Sequence, residues 1–167
     1  MKILFLSDIH GIGRNLHVLL ELDKKEKFDK VVILGDVYYN YSSIPSSVSL
    51  VSSFINYFSD RLIMVRGNGD NDSSVSLLEV INDDVDIYVT HGHIYNKSNF
   101  APDGVLVYGH LHYPFIEKAL NTIYINTGSI SLPRKNYPPT FVIYDKKRFT
   151  IYDIFLQKID SISIKNI

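Results

Sequence analysis

The chain has 167 residues, 46% of them hydrophobic and 21% charged, with 17 basic side chains against 18 acidic ones. This length predicts one domain over residues 1–167, large enough to fold without disulfides or a structural metal. The net charge of −1 argues against strong nucleic-acid binding and membrane attachment, and the absence of cysteine excludes thiolate chemistry and fits a cytoplasmic protein.

The first third of the chain alternates short apolar runs with amphipathic segments. Leu16, Leu19 and Leu20 share one face of a predicted first helix, and Pro45 is well placed to begin a second one. The β-α-β-α-β order predicts parallel strands joined by right-handed crossovers. The apolar runs, which are typical of strands covered on both faces, are residues 3–6, 31–34 and 62–65.

After Asn71 the pattern becomes that of an antiparallel protein. Asn82, Asp83 and Asp84 form a turn signal between two apolar runs and predict a hairpin. The tail from residue 158 to 167 is ambiguous and is interpreted as an edge strand. The other predicted strands of this half are residues 77–81, 85–90, 105–108, 115–119, 123–126, 140–145 and 149–155.

Polar side chains follow five of the buried strands, and five of the six histidines lie in these segments. Ligands of α/β sheets gather outside the carboxyl ends of the strands, so these side chains are expected to form one site. Their mixed nitrogen and oxygen donors suit Mn²⁺, Zn²⁺, Fe or Ni²⁺. Seven ligands fit two ions that share a bridging carboxylate better than one ion with an open position. The seven are Asp8, His10, Asp36, Asn68, His91, His110 and His112.

The order of these motifs carries a family resemblance. Asp-x-His, Gly-Asp, Gly-Asn-x-Asp, His-Gly-His and Gly-His-x-His occur in the order found in calcineurin-like metallophosphoesterases, and the chain most resembles their YfcE-like phosphodiesterase branch. A later Asn126-Thr127-Gly128-Ser129 is also similar to that branch, and the resemblance spans residues 2–155. It implies an α/β fold, a four-layer α/β/β/α sandwich of two mixed sheets.

The resemblance also implies the roles of the ligands and the reaction. It implies hydrolysis of a phosphoester by a hydroxide held between two divalent ions. A diester in a small substrate is the first candidate for the ester, and Mn²⁺ is the first candidate for the metal. Asp36 would bridge the two ions. The first ion would be held by Asp8, His10, Asp36 and His112, and the second by Asp36, Asn68, His91 and His110.

One position departs from the pattern of many relatives. A histidine that protonates the leaving group often follows the Gly-Asn pair, whereas this chain has Gly69 there. His93 is the candidate replacement, as a proton donor or a substrate contact, because it lies two residues from His91 and is not needed as a ligand. A general acid contributes about 10²–10⁴-fold to a rate.

Other residues near the motifs receive more ordinary interpretations. His17 is expected on the surface, Asp70 in a turn or behind the ligands, and Arg66 on either a substrate phosphate or an ion-pair partner. The tyrosines at 38, 39 and 41 are expected to pack at an edge or to line the substrate pocket. Specificity is expected to come from the loops at 38–47 and 95–104, whose short lengths indicate an open site.

Two further functions stay open at this point. A protein-binding scaffold with little or no catalytic activity is known on the same fold, although the complete set of seven ligands favours an enzyme. A phosphomonoesterase would use the same ligands. The tyrosine-rich composition, 12 of 167 residues, is also compatible with a homodimer.

Overall fold

The computed structural model describes residues 1–38 and 45–164, which form eleven strands, two α-helices and two short 3₁₀ turns. The helices are α1 (Leu16–Glu26) and α2 (Pro45–Phe58), and the 3₁₀ turns are Gly13–Asn15 and Ser59–Arg61. The strands are β1 (Ile3–Leu6), β2 (Lys30–Ile33), β3 (Leu62–Met64), β4 (Leu78–Asn82), β5 (Asp86–Thr90), β6 (Gly104–Tyr108), β7 (Pro114–Ala119), β8 (Thr122–Thr127), β9 (Thr140–Asp145), β10 (Arg148–Asp153) and β11 (Lys158–Ser163).

The strands form two mixed sheets, as the predicted sandwich requires. The six-stranded sheet has the order β11-β10-β9-β1-β2-β3, in which β1, β2 and β3 are parallel. The five-stranded sheet has the order β4-β5-β6-β8-β7, in which β5, β6 and β8 are parallel. The parallel strands at the centre of each sheet place their carboxyl ends, and the polar residues that follow them, at common sheet edges.

The main core lies between the two sheets. Phe5 of β1 and Val142 of β9 pack there with Val89 of β5 and Val107 of β6. Neighbouring residues of β1 point the other way, because side chains alternate along a strand. On that side Leu4 and Leu6 pack against the helices, through Leu16 and Leu19 of α1 and Val51, Phe54 and Phe58 of α2.

Among the described residues, both helices cover the six-stranded sheet. The outer face of the five-stranded sheet is covered instead by an irregular segment, residues 91–103, whose Phe100 packs with Tyr88, Leu106 and Tyr108. The Asn96 side chain donates to the carbonyl of Gly92 at 2.9 Å, a local bond of the kind that competes with helix formation. In the described part of the chain, this loop packs on the outer face of the five-stranded sheet.

Two further predicted elements, the edge strand of the tail and a hairpin, are present in the structure. The tail forms β11, an edge strand paired antiparallel with β10, as interpreted from the sequence. The hairpin of β4 and β5 is confirmed. Neither helix in the described part of the chain is long and apolar enough to cross a membrane. Tyr39, Asn40 and Tyr41 lie outside the described residues.

A buried carboxylate joins α1 to the end of α2. Asp23 is 2% exposed, and its carboxylate accepts hydrogen bonds from Nη1 of Arg61 at 2.9 Å and Nη2 at 2.6 Å, from the Phe28 amide at 3.0 Å and from the Tyr57 hydroxyl at 3.1 Å. Burial opposes the charge of Asp23, but the bonds from Arg61 and Phe28 outweigh burial and lower the pKa of Asp23. The carboxylate is therefore ionised at neutral pH and stabilises the fold there.

We expect Asp23→Ala to lower the free energy of unfolding by about 2–3 kcal/mol, because it leaves the guanidinium of Arg61 without its charged partner. The loss should shrink as the pH falls through the lowered pKa of Asp23, where the native carboxylate is itself protonated. Urea unfolding at several pH values measures both effects. Glu21→Ala is the matched control, since its ion pair with Lys24 on the same helix is exposed and should contribute little to the free energy of unfolding.

Candidate metal centre

Three predicted ligands from distant parts of the chain meet in the first cluster of the site. Asp8 and His10 follow β1, and His112 follows β6. His112 Nε2 lies 3.1 Å from Asp8 Oδ1 and 3.3 Å from His10 Nε2. All three residues are buried, and their ligand atoms lie within 4.8 Å of one another, so they can face one cation.

A second cluster lies beside the first. It consists of Asp8, Asp36 and His91, again with ligand atoms within 4.8 Å of one another. His91 Nε2 is 3.5 Å from Asp36 Oδ2 and 3.1 Å from Asn68 Oδ1. Asp36 Oδ2 is also 3.8 Å from His10 Nε2, so this carboxylate faces both clusters. The ring of His110 packs on that of His91, with centroids 5.0 Å apart.

Backbone carbonyls hold two of the imidazoles in a ligand orientation. His91 Nδ1 lies 2.7 Å from the carbonyl oxygen of Leu34, and His112 Nδ1 lies 2.7 Å from that of Leu132. A carbonyl can only accept, so the proton of each ring belongs on Nδ1 and leaves Nε2 with a free lone pair. In both rings Nε2 faces the carboxylates, which is the tautomer that a metal ligand needs.

The backbone of the site is held in an uncommon conformation. Five of the seven predicted ligands have positive φ angles, between 51° and 65°, although none of them is glycine. A non-glycine residue in this region is uncommon, and such strain is typically stored where function requires it. The five residues are Asp8, His10, Asp36, His110 and His112.

Glycine is required where the loops pass each other most closely. A Cβ on Gly109 would lie 1.8 Å from Ser7 Oγ and 2.7 Å from Asp8 Oδ2. The absence of a side chain thus lets the loop after β6 approach the loop after β1. This approach also allows the His110 amide to donate to Asp8 Oδ2 at 3.0 Å.

The charges of the predicted metal ligands depend on their neighbours. Burial opposes the charge of Asp36, but the contact with His91 and the Gly69 amide outweigh it and lower the pKa of Asp36 to about 2. Burial lowers the pKa of His10 and of His110. Burial also opposes the charge of His91 and His112, but their contacts with Asp36 and Asp8 outweigh it and raise the pKa values of these two rings. The site therefore offers ionised Asp36 beside neutral His10 and His110, and His91 and His112 must be unprotonated at Nε2 to bind a cation, so metal binding should weaken as the pH falls.

Asp70 stabilises the loop that carries Asp36, as the turn interpretation predicted. Its carboxylate accepts from the amides of Asp36 at 2.8 Å, Val37 at 2.9 Å and Gly67 at 2.8 Å. These bonds join the loops that follow β2 and β3. Asp70 therefore positions Asp36 and Asn68 without itself facing the clusters.

We expect Asp70→Ala to weaken metal binding about 10–100-fold, because groups that orient ligands typically contribute that much. Titration calorimetry with Mn²⁺ measures the change. Asp72→Ala is the matched control on the same loop, since the carboxylate of Asp72 is exposed and accepts hydrogen bonds from the amide and hydroxyl of Ser74. Equal affinities in the two variants would contradict the positioning role of Asp70.

An open cleft of about 630 Å³ gives access to the two clusters. One side of the cleft is formed by residues 132–135 together with Tyr113. Residues 132–135 were not predicted from the sequence to belong to the site. The only signal for this segment was the pair of adjacent basic residues shortly after Asn126-Thr127-Gly128-Ser129. The predicted ligands that line the cleft are His10, Asp36, Asn68, His110 and His112.

The other residues selected from the sequence lie around this cleft. His93 packs beside the ligands, with its ring centroid 5.3 Å from that of His91 and 6.3 Å from that of His110. Arg66 and Tyr38 line a neighbouring pocket of about 450 Å³ that also includes Asn68 and Gly69. His17 is exposed, as expected. None of the described residues at 95–104 lines the cleft, since that segment covers the five-stranded sheet.

The donor set fits divalent metal ions. Imidazole nitrogens, carboxylate oxygens and one amide oxygen converge, and the described residues supply no thiolate to compete with them. The sandwich of two mixed sheets and this set of ligands define a metal-dependent phosphoesterase. Residues 1–148 match the family profile described as "Calcineurin-like phosphoesterase superfamily domain". The chain belongs to this superfamily.

Within this superfamily, the chain is similar to the phosphodiesterase YfcE in both sequence and structure. The chain is 31% identical to the phosphodiesterase YfcE of Escherichia coli K12 in an alignment of 161 residues, and the match covers 87% of this chain and 88% of that protein. The solved structure of E. coli YfcE, described as a phosphoesterase, matches with a TM-score of 0.88 at 27% identity, and the match covers 99% of this chain and 100% of that one.

More distant structures share the fold alone. A structure described as a novel archaeal phosphodiesterase matches with a TM-score of 0.67 at 22% identity, over 98% of this chain and 100% of that one. Vps29 of Entamoeba histolytica, solved with Zn²⁺, matches with a TM-score of 0.65 at 20% identity, over 91% of each chain.

Proposed function

We propose that the chain is a phosphodiesterase that uses two divalent metal ions, with Mn²⁺ the first candidate and Zn²⁺, Fe or Ni²⁺ the alternatives. The observation that carries the proposal is the position of Asp36, whose carboxylate faces both ligand clusters. The first ion would be held by Asp8, His10, Asp36 and His112, and the second by Asp36, Asn68, His91 and His110.

When bound, the two ions supply Lewis acidity that activates water and offsets the charge of the phosphoryl oxygens. The chain's own residues keep this arrangement fixed. The carbonyls of Leu34 and Leu132 hold His91 and His112 in their ligand tautomers, and Asp70 holds the backbone of Asp36. The strained, buried loops therefore need little rearrangement on binding, which is the basis of electrostatic preorganisation.

The proposed substrate is a small phosphodiester. The cleft is open, so both ester substituents can extend away from the clusters. The curated relative YfcE is named a phosphodiesterase, which supports the choice of a diester. We propose that residues 1–167 act as one cytoplasmic catalytic domain, without strong nucleic-acid binding, and that a homodimer is compatible with it.

Hydrolysis of bis(p-nitrophenyl) phosphate by the metal-stripped protein, resupplied with Mn²⁺, tests the proposal. We expect release of p-nitrophenolate only after metal is added, and a higher kcat/KM for this diester than for p-nitrophenyl phosphate. A preference for the monoester would make the chain a phosphomonoesterase. No hydrolysis of either ester, together with failure to bind metal, would favour the scaffold alternative.

His93 is proposed as the residue that assists the leaving group. Its ring lies beside those of His91 and His110, and burial together with these two neighbours lowers its pKa, so the ring is neutral at neutral pH. The neutral ring would donate a hydrogen bond to the leaving oxygen, and solvent water would supply the proton. We expect His93→Gln to slow an alkyl ester by about 10²-fold, at the lower end of general acid–base effects. The p-nitrophenyl ester, whose leaving group needs no proton, should change much less. An equal loss with both esters would contradict the assignment.

A further inference from the structure

Two cations on one wall of the cleft have no role in the metal centre. Arg134 and Lys135 are exposed, and both line the cleft that contains the predicted ligands. Within residues 1–38 and 45–164, neither side chain forms an ion pair with a carboxylate. Their positive charges are therefore available to a ligand in the cleft.

The wall that carries these cations is fixed to the metal ligands. The Arg134 amide donates to the carbonyl of His112 at 2.8 Å, and the His112 ring bonds back to the carbonyl of Leu132. Ser129 Oγ accepts from the Leu132 amide at 2.8 Å and donates to the carbonyl of Asp8 at 2.8 Å. The position of the segment is thus set by the first ligand cluster.

Lys135 is further oriented by an aromatic ring. Its Nζ lies 3.5 Å from the centroid of Tyr113, which also lines the cleft. A cation over an aromatic face is attracted by the ring quadrupole, and this contact restrains an otherwise flexible side chain. The ammonium is held at the cleft without being neutralised, since the ring carries no net charge.

We propose that Arg134 and Lys135 form an anion subsite that selects phosphodiesters carrying a second negatively charged group, such as a further phosphate, on one ester substituent. This inference rests on the proposed function. The scissile phosphate would occupy the space between the two ligand clusters. The second anion would bind Arg134 and Lys135, because a guanidinium and an ammonium are well suited to phosphate oxygens.

Two esters with the same leaving group test this selectivity. Thymidine 5′-(p-nitrophenyl phosphate) has no second phosphate, whereas its 3′-phosphorylated derivative has one, and both release p-nitrophenolate when water attacks phosphorus. We expect the Mn²⁺-loaded wild-type protein to prefer the 3′-phosphorylated ester about 10-fold in kcat/KM, a modest value because the cations are exposed. Arg134→Gln and Lys135→Gln should each reduce this ratio, and the double variant should bring it close to one.

Lys158→Gln is the matched control, because it removes one positive charge from the exposed edge strand β11, away from the cleft. The ratio of kcat/KM for the 3′-phosphorylated ester to that for the unphosphorylated ester should be the same in Lys158→Gln as in the wild type. An equal reduction in Lys158→Gln would mean that overall charge sets the preference and would overturn the proposal. Equal slowing of both esters by Arg134→Gln would overturn it too, since the cation would then act on the scissile phosphate.

A binding measurement separates the subsite from the activity. Calorimetry with Mn²⁺-loaded protein compares the Kd of thymidine 3′,5′-bisphosphate with that of thymidine 5′-phosphate. If neither ester is hydrolysed, the proposed function fails, but tighter binding of the bisphosphate that is lost in the double variant would still support the subsite. Equal Kd values for the two nucleotides in the wild type would overturn the subsite.

Discussion

Asp36→Asn is expected to lower kcat/KM for bis(p-nitrophenyl) phosphate about 1000-fold. Asparagine has one side-chain oxygen and no charge, so it cannot bridge two cations as a carboxylate does. The loss of a bridging ligand should remove about 4 kcal/mol of transition-state stabilisation, which corresponds to that factor. Initial rates with excess Mn²⁺, compared with the wild type, measure the change.

The variant is chosen so that the fold is preserved. Asparagine tolerates the φ of 54° found at position 36, and its oxygen can still accept from the Gly69 amide, which lies 2.8 Å from Asp36 Oδ1. His17→Gln is the control, because His17 is exposed on the first helix, away from the site, and its ring Nδ1 forms a hydrogen bond with the carbonyl of Arg14 at 2.7 Å. Activity in Asp36→Asn similar to that of the control would contradict a bridging role.

Metal removal is expected to abolish activity and also to lower stability. The two clusters join loops that follow strands of both sheets, so ions that bind only the folded chain stabilise it. At a free Mn²⁺ concentration of 100 times Kd, each independent site should add about 2.7 kcal/mol to the free energy of unfolding. Urea unfolding with and without Mn²⁺, after chelation, measures this gain.

The same urea unfolding experiment on Asp36→Asn shows whether the stabilisation by Mn²⁺ depends on this carboxylate. This variant should lose most of the Mn²⁺-dependent gain while keeping most of the stability that the wild type has in chelator. Asp23→Ala should do the reverse, because Asp23 lies between the helices and not at the site. A gain from Mn²⁺ that is the same in wild type and Asp36→Asn would mean that the stabilising ions bind elsewhere.

Much of the site could be predicted because its polar residues directly follow the carboxyl ends of buried strands. Parallel strands such as β1 and β2 end at the same edge of a sheet, so Asp8 and Asp36 had to lie near each other once those strands were recognised. The buried apolar runs identified the strands, and the ordered Asp, Asn and His motifs identified the family. The two mixed sheets follow from the same pattern.

Other features depend on contacts between distant residues, which composition and periodicity do not reveal. Arg134 reaches the cleft because its loop bonds to His112, which precedes it by more than twenty positions. The positive φ angles of His10 and His110 occur where several loops meet, and composition and periodicity do not predict backbone angles of single loop residues. The loop outside the five-stranded sheet is stabilised by a bond from the Asn96 side chain to the Gly92 carbonyl, and such a local bond gives no periodic signal.

The position of bound metal shows whether two ions share the carboxylate of Asp36. Crystals grown with Mn²⁺ and measured at its absorption edge locate each ion by anomalous scattering. We expect two peaks per chain, one beside Asp8, His10 and His112 and one beside Asn68, His91 and His110, with the carboxylate of Asp36 in contact with both. A single peak, peaks at other residues, or an Asp36 that contacts only one ion would contradict it.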